Sequence, residues 1–273
     1  TIRHDRTVRE GSKMAQEPVL YTFSDGVARI RLNRPEVGNA MSGDVARGIA
    51  HAVDAIAIEH GARVVVLCAN GRHFSAGGDI GEFVRDRERL AESIGDGLLL
   101  FNSALTKLAR LPIPVVTALN GPVAGGGIGL ALTADLIVAA ESARFRSGYS
   151  GIGLSPDCGT SFFLVRALGA TRAKELMFTN RSLSAAEALA CGLVNRVVPD
   201  AELERATDAL VAELTALPRG SLAAIKTLVG EISDGLYERT LARERELMVE
   251  NAAGADVLEG IAAFAARRAP VFA

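Results

Sequence analysis

Cysteine is scarce in this chain: Cys68, Cys158 and Cys191 lie far apart, in apolar or turn contexts. They provide neither a metal-ligand spacing nor a disulfide framework, which suits a reducing cytoplasm. Neither sign of charge is in excess, and the formal net charge is −2. That balance gives no reason to expect nucleic acid or an anionic membrane as a partner. Long apolar runs are missing as well. The stretch 111–140 is broken by prolines, glycines and polar residues, so no segment is long enough to span a bilayer. Internal repeats and low-complexity linkers are absent. The first 13 residues are polar, mixed in charge and unlike a secretory signal. Met14-Ala15 reads as a natural start, and residues 1–16 are expected to be a leader, disordered or vector-derived.

What is present is apolar substance: 49% of 273 residues are hydrophobic, enough for a large core. Val19–Phe23 and Val27–Leu32 alternate around Ser24-Asp25-Gly26 and predict a hairpin. Ser42 can cap an apolar-periodic helix running to about His60. Val64–Cys68 reads as a buried strand, and Leu90–Arg110 as a helix ended before Pro112 and Pro114. Strands Val115–Leu119 and Leu136–Ala140 flank a glycine turn and a short helix. Strands alternating with helices imply an α/β fold with mostly parallel pairing. After Gly159 the pattern becomes helical, with one short strand near Leu193–Val198 and late helices at Leu203–Leu217, Ser221–Val229 and Glu238–Asn251.

The most informative segment is Gly-Pro-Val-Ala-Gly-Gly-Gly-Ile-Gly, residues 121–129. Strand, glycine turn and helix together aim free backbone N–H groups outward at a helix N-terminus. Missing Cβ atoms let a ligand approach closely. A dinucleotide fingerprint started at Gly125 needs glycine where Leu130 stands, and no Gly-Lys-Ser/Thr follows for a P-loop. The turn therefore either packs tightly or polarises a carbonyl oxygen. A second glycine loop, His73-Phe-Ser-Ala-Gly-Gly-Asp79-Ile80, follows the Val64–Cys68 strand, and its Asp79 is suited to cap a following helix. Two such turns at neighbouring strand ends can bring two N–H donors to one oxygen.

These segments, with Ala134-Asp-Leu-Ile-Val-Ala139, Leu32-Asn-Arg-Pro-Glu36, Asn39-Ala-Met-Ser42 and the run Ala185–Val194, resemble the crotonase (enoyl-CoA hydratase/isomerase) superfamily over residues 18 to 270. The resemblance implies a spiral of ββα units over 17–205 carrying an acyl-CoA site, and a helical trimerisation region over 206–273. It implies coenzyme A thioester substrates, no metal, no cofactor beyond the substrate's own coenzyme A, and trimers or hexamers built as dimers of trimers. By position, Gly78 and Gly126 would be the oxyanion donors. Arg34, Asn39, Ala40, Ser75, Ala76, Asp79, Ile80, Gly125 and Gly129 would border the substrate. Lys226 would reach the coenzyme phosphates in the family manner.

Departures from the family pattern bear on the reaction. Hydratases of the family carry two glutamates; the corresponding positions are Gly129 and Tyr149, so ordinary hydration lacks its acid/base pair. Asp157, in Ser155-Pro-Asp157, matches the place where Δ3,Δ2-enoyl-CoA isomerases and ring-modifying isomerases of phenylacetate degradation carry one carboxylate. One carboxylate suffices to move a proton between C2 and C4. The competing reading makes Asp157 a cap for the following helix. The run from Phe145 to Leu183 also resembles 4-chlorobenzoyl-CoA dehalogenases, but their histidine position is Asn102 and the chain has no tryptophan. A thioester hydratase or hydrolase with water held by Asp157 and Tyr149, and a non-catalytic acyl-CoA scaffold, complete the alternatives. Tyr149 is expected as a half-buried pocket wall, Cys158 as a packing residue, and Arg144 and Arg146 as solvated or phosphate-facing. Ser75, His73 and Asp79 are too close in sequence for a triad to be inferred.

Overall fold

The runs Val64–Ala69 and Val115–Leu119 are buried along their whole length, and a computed structural model of the protein explains why. It describes residues 17–59, 61–231 and 236–272. The expectations for the leader 1–16, with its start at Met14, lie outside the described residues. β1 (Val19–Ser24) and β2 (Val27–Leu32) form the expected hairpin. Its turn needs positive φ at both central residues, which Asp25 (+52°) and Gly26 (+78°) supply. The helix α1 (Gly43–Ile58) starts where Ser42 accepts a hydrogen bond from the Val45 amide. It ends two residues short of the expected boundary.

A six-stranded sheet has the order β1, β2, β3 (Val64–Ala69), β4 (Val115–Leu119), then a fifth strand Leu136–Ala140 and a sixth, Arg196–Val198. All neighbours from β2 onward pair in parallel. Between β3 and β4 run α2 (Ile80–Arg85) and α3 (Leu90–Ala109). α2 begins right after Asp79, which caps it as its place after the glycine loop suggests, though the sequence shows no bounds for that helix. A smaller sheet, not foreseen, joins β5 (Val123–Ala124), then the strand Arg144–Arg146 and the strand Leu183–Ser184. In chain order β6 is Leu136–Ala140, β7 is Arg144–Arg146, β8 is Leu183–Ser184 and β9 is Arg196–Val198. Such two- and three-residue strands leave no periodicity to read.

The two sheets are threaded by one repeated unit. β4, β5 and α4 (Gly126–Leu132) make one; β6, β7 and α5 (Thr160–Thr179) make the next. Each unit gives one strand to each sheet before its helix. The preceding unit does the same in reduced form: after β3, Ser75 bridges Val123 in parallel, and α2 follows. The α/β spiral expectation holds. α5 bends at Gly169, whose φ of +74° is not helical.

On β3, Val65, Leu67 and Ala69 face the core that contains α1 and α3. Val64, Val66 and Cys68 face the other way, against Leu203, Leu210 and Val211 of a helix at Leu203–Ala216. Burial on both faces makes β3 a continuous apolar run. With α6 at Ala185–Ala190 and α7 at Leu203–Ala216, the chain ends in α8 (Arg219–Glu231), α9 (Leu236–Ala252) and α10 (Ala255–Ala265). Those helices agree with the helical C-terminal expectation. α9 packs along α3 and touches α5, which matters for the site below.

Candidate active site

The loop after β3 and the turn after β4 are joined backbone to backbone. The Phe74 amide donates to the Pro122 carbonyl (3.0 Å), and the Ala124 amide to the Ser75 carbonyl (2.9 Å). Gly77 (φ +88°) and Gly125 (φ +50°) face each other there. A Cβ on Gly77 would lie 3.1 Å from the Ala124 carbonyl oxygen, and one on Gly125 would lie 3.4 Å from Gly77 Cα. Both conformation and close approach therefore call for glycine. On its far side the first loop pairs with the chain before α1. The Met41 amide donates to the Gly77 carbonyl (2.8 Å), and the Asp79 amide to the Met41 carbonyl (3.2 Å). These bonds pass over the amide of Gly78. Gly126 is the first residue of α4, where amides have no intrahelical acceptor. Among the described residues, neither the Gly78 nor the Gly126 N–H has a backbone acceptor.

Gly78 and Gly126 line one cavity of about 1090 Å³ together with Asp157 and Cys158. Met41, Phe83, Ile94, Leu98 and Phe101 give that cavity an apolar part; Arg85, Asp86, Arg87, Glu88, Arg89 and Glu92 give it a charged rim. Asp157 sits on a turn where Cys158 (φ +53°) and Gly159 (φ +79°) are both left-handed. Its carboxylate abuts Gly126 so closely that a Cβ there would lie 2.7 Å from Oδ1. The Tyr149 hydroxyl donates to the same Oδ1 at 2.7 Å and lies 3.2 Å from Thr160 Oγ1. Burial pushes the Asp157 carboxyl up to about 7; the Tyr149 hydrogen bond opposes this, and the negative charge of Glu244 adds to it. Burial and the neighbouring Asp157 raise the Tyr149 phenol well above its ordinary value.

Asp157 does not cap α5, so that reading is corrected. Glu244 of α9 takes the role: its Oε2 accepts from the Gly159 amide (2.6 Å), and its Oε1 from the Ser161 amide (2.9 Å) and Ser161 Oγ (2.5 Å). No local signal marked Glu244, because its partners lie more than 80 residues away in the sequence. Tyr149 departs from expectation too: it is buried behind Asp157 and is not a half-buried cavity wall. Gly129 is packed against the 157–159 turn, and a Cβ there would collide with the Cys158 carbonyl. No side chain fits at that position.

Four residues expected at the substrate border are occupied in holding loops together. Arg34 pairs with Asp79 at 2.9 Å and donates to the Ala40 carbonyl at 2.9 Å. Asn39 donates to the carbonyls of Asn70 and His73, both at 2.8 Å, and its Oδ1 accepts from the Arg34 amide. Ser75 Oγ donates to the Asn39 carbonyl at 2.9 Å, so it forms no triad with His73 and Asp79. Asp79 also caps α2. Ala40 is buried, Ile80 half-buried and Ala76 exposed. Lys226 bonds to Asp135 (2.7 Å) and the Ile113 carbonyl (3.1 Å). Arg144 donates to the Glu141 and Ala143 carbonyls. Asn102 donates to the Leu241 carbonyl. Among the described residues no cluster of His, Cys, Asp or Glu could hold a metal ion, and no helix is long and apolar enough to cross a membrane.

Comparison with known proteins agrees with this architecture. The family model for enoyl-CoA hydratase/isomerase matches residues 22–273. The chain is 35% identical to a trans-2-decenoyl-[acyl-carrier-protein] isomerase of Streptococcus mutans, covering 93% of this chain and 97% of that one. It is 34% identical to a 1,2-epoxyphenylacetyl-CoA isomerase of Escherichia coli, covering 94% and 98%. A crystal structure of an enoyl-CoA hydratase from Mycobacterium avium subsp. paratuberculosis superposes with a TM-score of 0.85 at 34% identity, covering 94% and 98%. A match from residue 22 to the last residue, on a fold of paired-strand-and-helix units, makes the chain a member of the enoyl-CoA hydratase/isomerase family of the crotonase superfamily.

Proposed function

We propose that the protein isomerises enoyl thioesters of coenzyme A, moving a double bond from C3 to C2. Asp157 as carboxylate takes a proton from C2, and the electron pair shifts onto the thioester oxygen. The N–H groups of Gly78 and Gly126 hold the resulting dienolate; each such donor contributes about 3 kcal/mol to the transition state. The protonated Asp157 then delivers its proton to C4, the carbonyl reforms, and the double bond lies between C2 and C3. No metal and no cofactor enters, since coenzyme A is part of the substrate.

The observation that carries this reading is the carboxylate of Asp157 on the cavity wall beside Gly126, pushed up to about 7. A group with that affinity both accepts and returns a proton near neutral pH. The apolar cavity residues Phe83, Leu98 and Phe101 suit an acyl group. Arg34, Asn39, Ala40, Ser75, Ala76, Asp79 and Ile80 shape the border where the pantetheine and nucleotide lie, with Gly125 and Gly129 keeping the backbone close. Exposed Ile225, Leu228 and Val229 on α8 offer an apolar surface for association between copies; a homotrimer or a dimer of trimers is what the family resemblance implies. We take 17–205 as the acyl-CoA core, 206–273 as the assembly region, and the cytoplasm as the location.

Conversion of a 3-enoyl-CoA to its 2-enoyl isomer by the wild type, with a loss of at least a thousandfold in Asp157→Ala, is the expected result. Equal rates in the two proteins remove Asp157 from the mechanism. A second reading is hydration or hydrolysis by a water held at Asp157, with the 2.7 Å bond from Tyr149 orienting that carboxylate. Hydration of crotonyl-CoA faster than isomerisation would favour it. Dehalogenation is disfavoured by Asn102, which is spent on the Leu241 carbonyl, and by the lack of tryptophan. Binding of thioesters without turnover of any would favour the scaffold.

A further inference from the structure

The turn that presents Asp157 is poorly stabilised from within. Cys158 is a non-glycine residue at φ +53°, followed by Gly159 at +79°, and left-handed backbone is strained at a residue with a Cβ. The local bond across the turn is the one from the Thr160 amide to the Asp157 carbonyl (2.9 Å). Against this stands Glu244, from α9, at 6% exposure. It accepts from two of the three amides that follow Cys158, those of Gly159 and Ser161, and from the Ser161 hydroxyl. All three partners are donors, so the ionised carboxylate is the form that fits.

We propose that Glu244 is a positioning residue for the reaction: it clamps the 157–161 turn from α9 and so fixes the Asp157 carboxylate against Gly126 and Tyr149. This rests on the reading of Asp157 as the acid/base. Glu244 also bears on Asp157 through its charge. The groups facing Asp157 are Tyr149, Cys158, Thr160 and, through the field, Glu244. Facing Glu244 are Ser161, the Gly159 amide and the neighbouring Tyr237, with Arg239 and Arg243 beside it in a small surface groove. A like charge nearby disfavours the second carboxylate. Neutralising Glu244 therefore lets Asp157 ionise more readily, and the acid limb of kcat/KM moves to lower pH.

The test compares Glu244→Gln, Ser161→Ala, Asp157→Asn and the double variant Glu244→Gln/Asp157→Asn in isomerisation of a 3-enoyl-CoA. Glutamine can satisfy only one side of the clamp as acceptor. The expected result for Glu244→Gln is a kcat lower by 10- to 100-fold, KM within threefold of wild type, and the acid limb displaced to lower pH. In the double variant the rate should equal that of Asp157→Asn alone, because a clamp has nothing left to position. Ser161→Ala keeps both backbone bonds and should show the same kcat effect at three- to tenfold; it serves if the glutamine variant does not fold. A wild-type kcat and pH profile in Glu244→Gln, or in Ser161→Ala when that variant stands in, overturns the proposal. So does a rate reduction that multiplies with Asp157→Asn. An Asp157→Asn enzyme with wild-type activity instead sinks the acid/base reading itself, which separates the two failures.

Discussion

Asparagine in place of Asp157 should abolish turnover and yet stabilise the protein at alkaline pH. The native fold holds this carboxyl at about 7, against an ordinary 3.8. A folded-state value above the unfolded one means that the native state binds the proton more tightly. The contribution of Asp157 to stability is thus fully present below pH 3.8 and is lost as pH rises through about 7. At ~1.4 kcal/mol for each tenfold change in proton affinity, the whole interval amounts to about 4 kcal/mol. Asparagine has no charge to desolvate, and its carbonyl oxygen can still accept the Tyr149 hydroxyl. Burial raises Glu244 as well; that group is common to both proteins, and its charge is a smaller cause of the Asp157 shift than burial. The advantage of the variant should therefore grow by about 2 to 3 kcal/mol between pH 5 and pH 8. Urea unfolding followed by far-ultraviolet circular dichroism measures it, since the chain has no tryptophan to report by fluorescence. A difference that stays flat with pH, or a variant less stable than wild type at pH 8, would refute the claim that Asp157 is held against its preferred ionisation.

Two further substitutions probe the same corner. Tyr149→Phe removes the hydrogen bond that lowers the Asp157 carboxyl, so the acid limb of kcat/KM should move above pH 7 and the rate at pH 7 fall about tenfold; an unmoved limb contradicts this. Gly126→Ala places a methyl 2.7 Å from Asp157 Oδ1 and 3.1 Å from Cys158 Sγ. Steady-state kinetics should show kcat down at least tenfold with the fold kept, because displacing the carboxylate by a few tenths of an ångström disturbs its aim; unchanged kcat would show that the contact is idle.

The larger sheet could be read from the amino acids because its strands are apolar runs with turn residues at both ends. The Asp25-Gly26 turn and the Ser42 cap were likewise visible as local chemistry. The smaller sheet was not, since β5 and β8 have two residues each and depend on pairing between distant segments. Asp79 was legible as a helix cap, but α2, six residues long, was too short for its extent to be read. The pair of glycine turns and Asp157 stood out in the sequence. That Asp157 faces the cavity did not, because Ser-Pro-Asp before a helix fits a cap equally well. The choice was made by Glu244, which already occupies the helix end. Arg34, Asn39 and Ser75 were identifiable as polar residues near the loops. Their hydrogen bonds show them spending their polar groups on backbone carbonyls and on Asp79.

The crowding of Gly129 by the Cys158 carbonyl restricts how this scaffold can change its chemistry. A glutamate at 129 is closed to a single substitution, because the peptide unit in its way belongs to the very turn that carries Asp157. Making room would swing that turn off α4 and carry Asp157 away from Tyr149. Within this backbone, then, a water-activating pair of glutamates and the present lone aspartate exclude one another, and passage between them requires coordinated change on two helices.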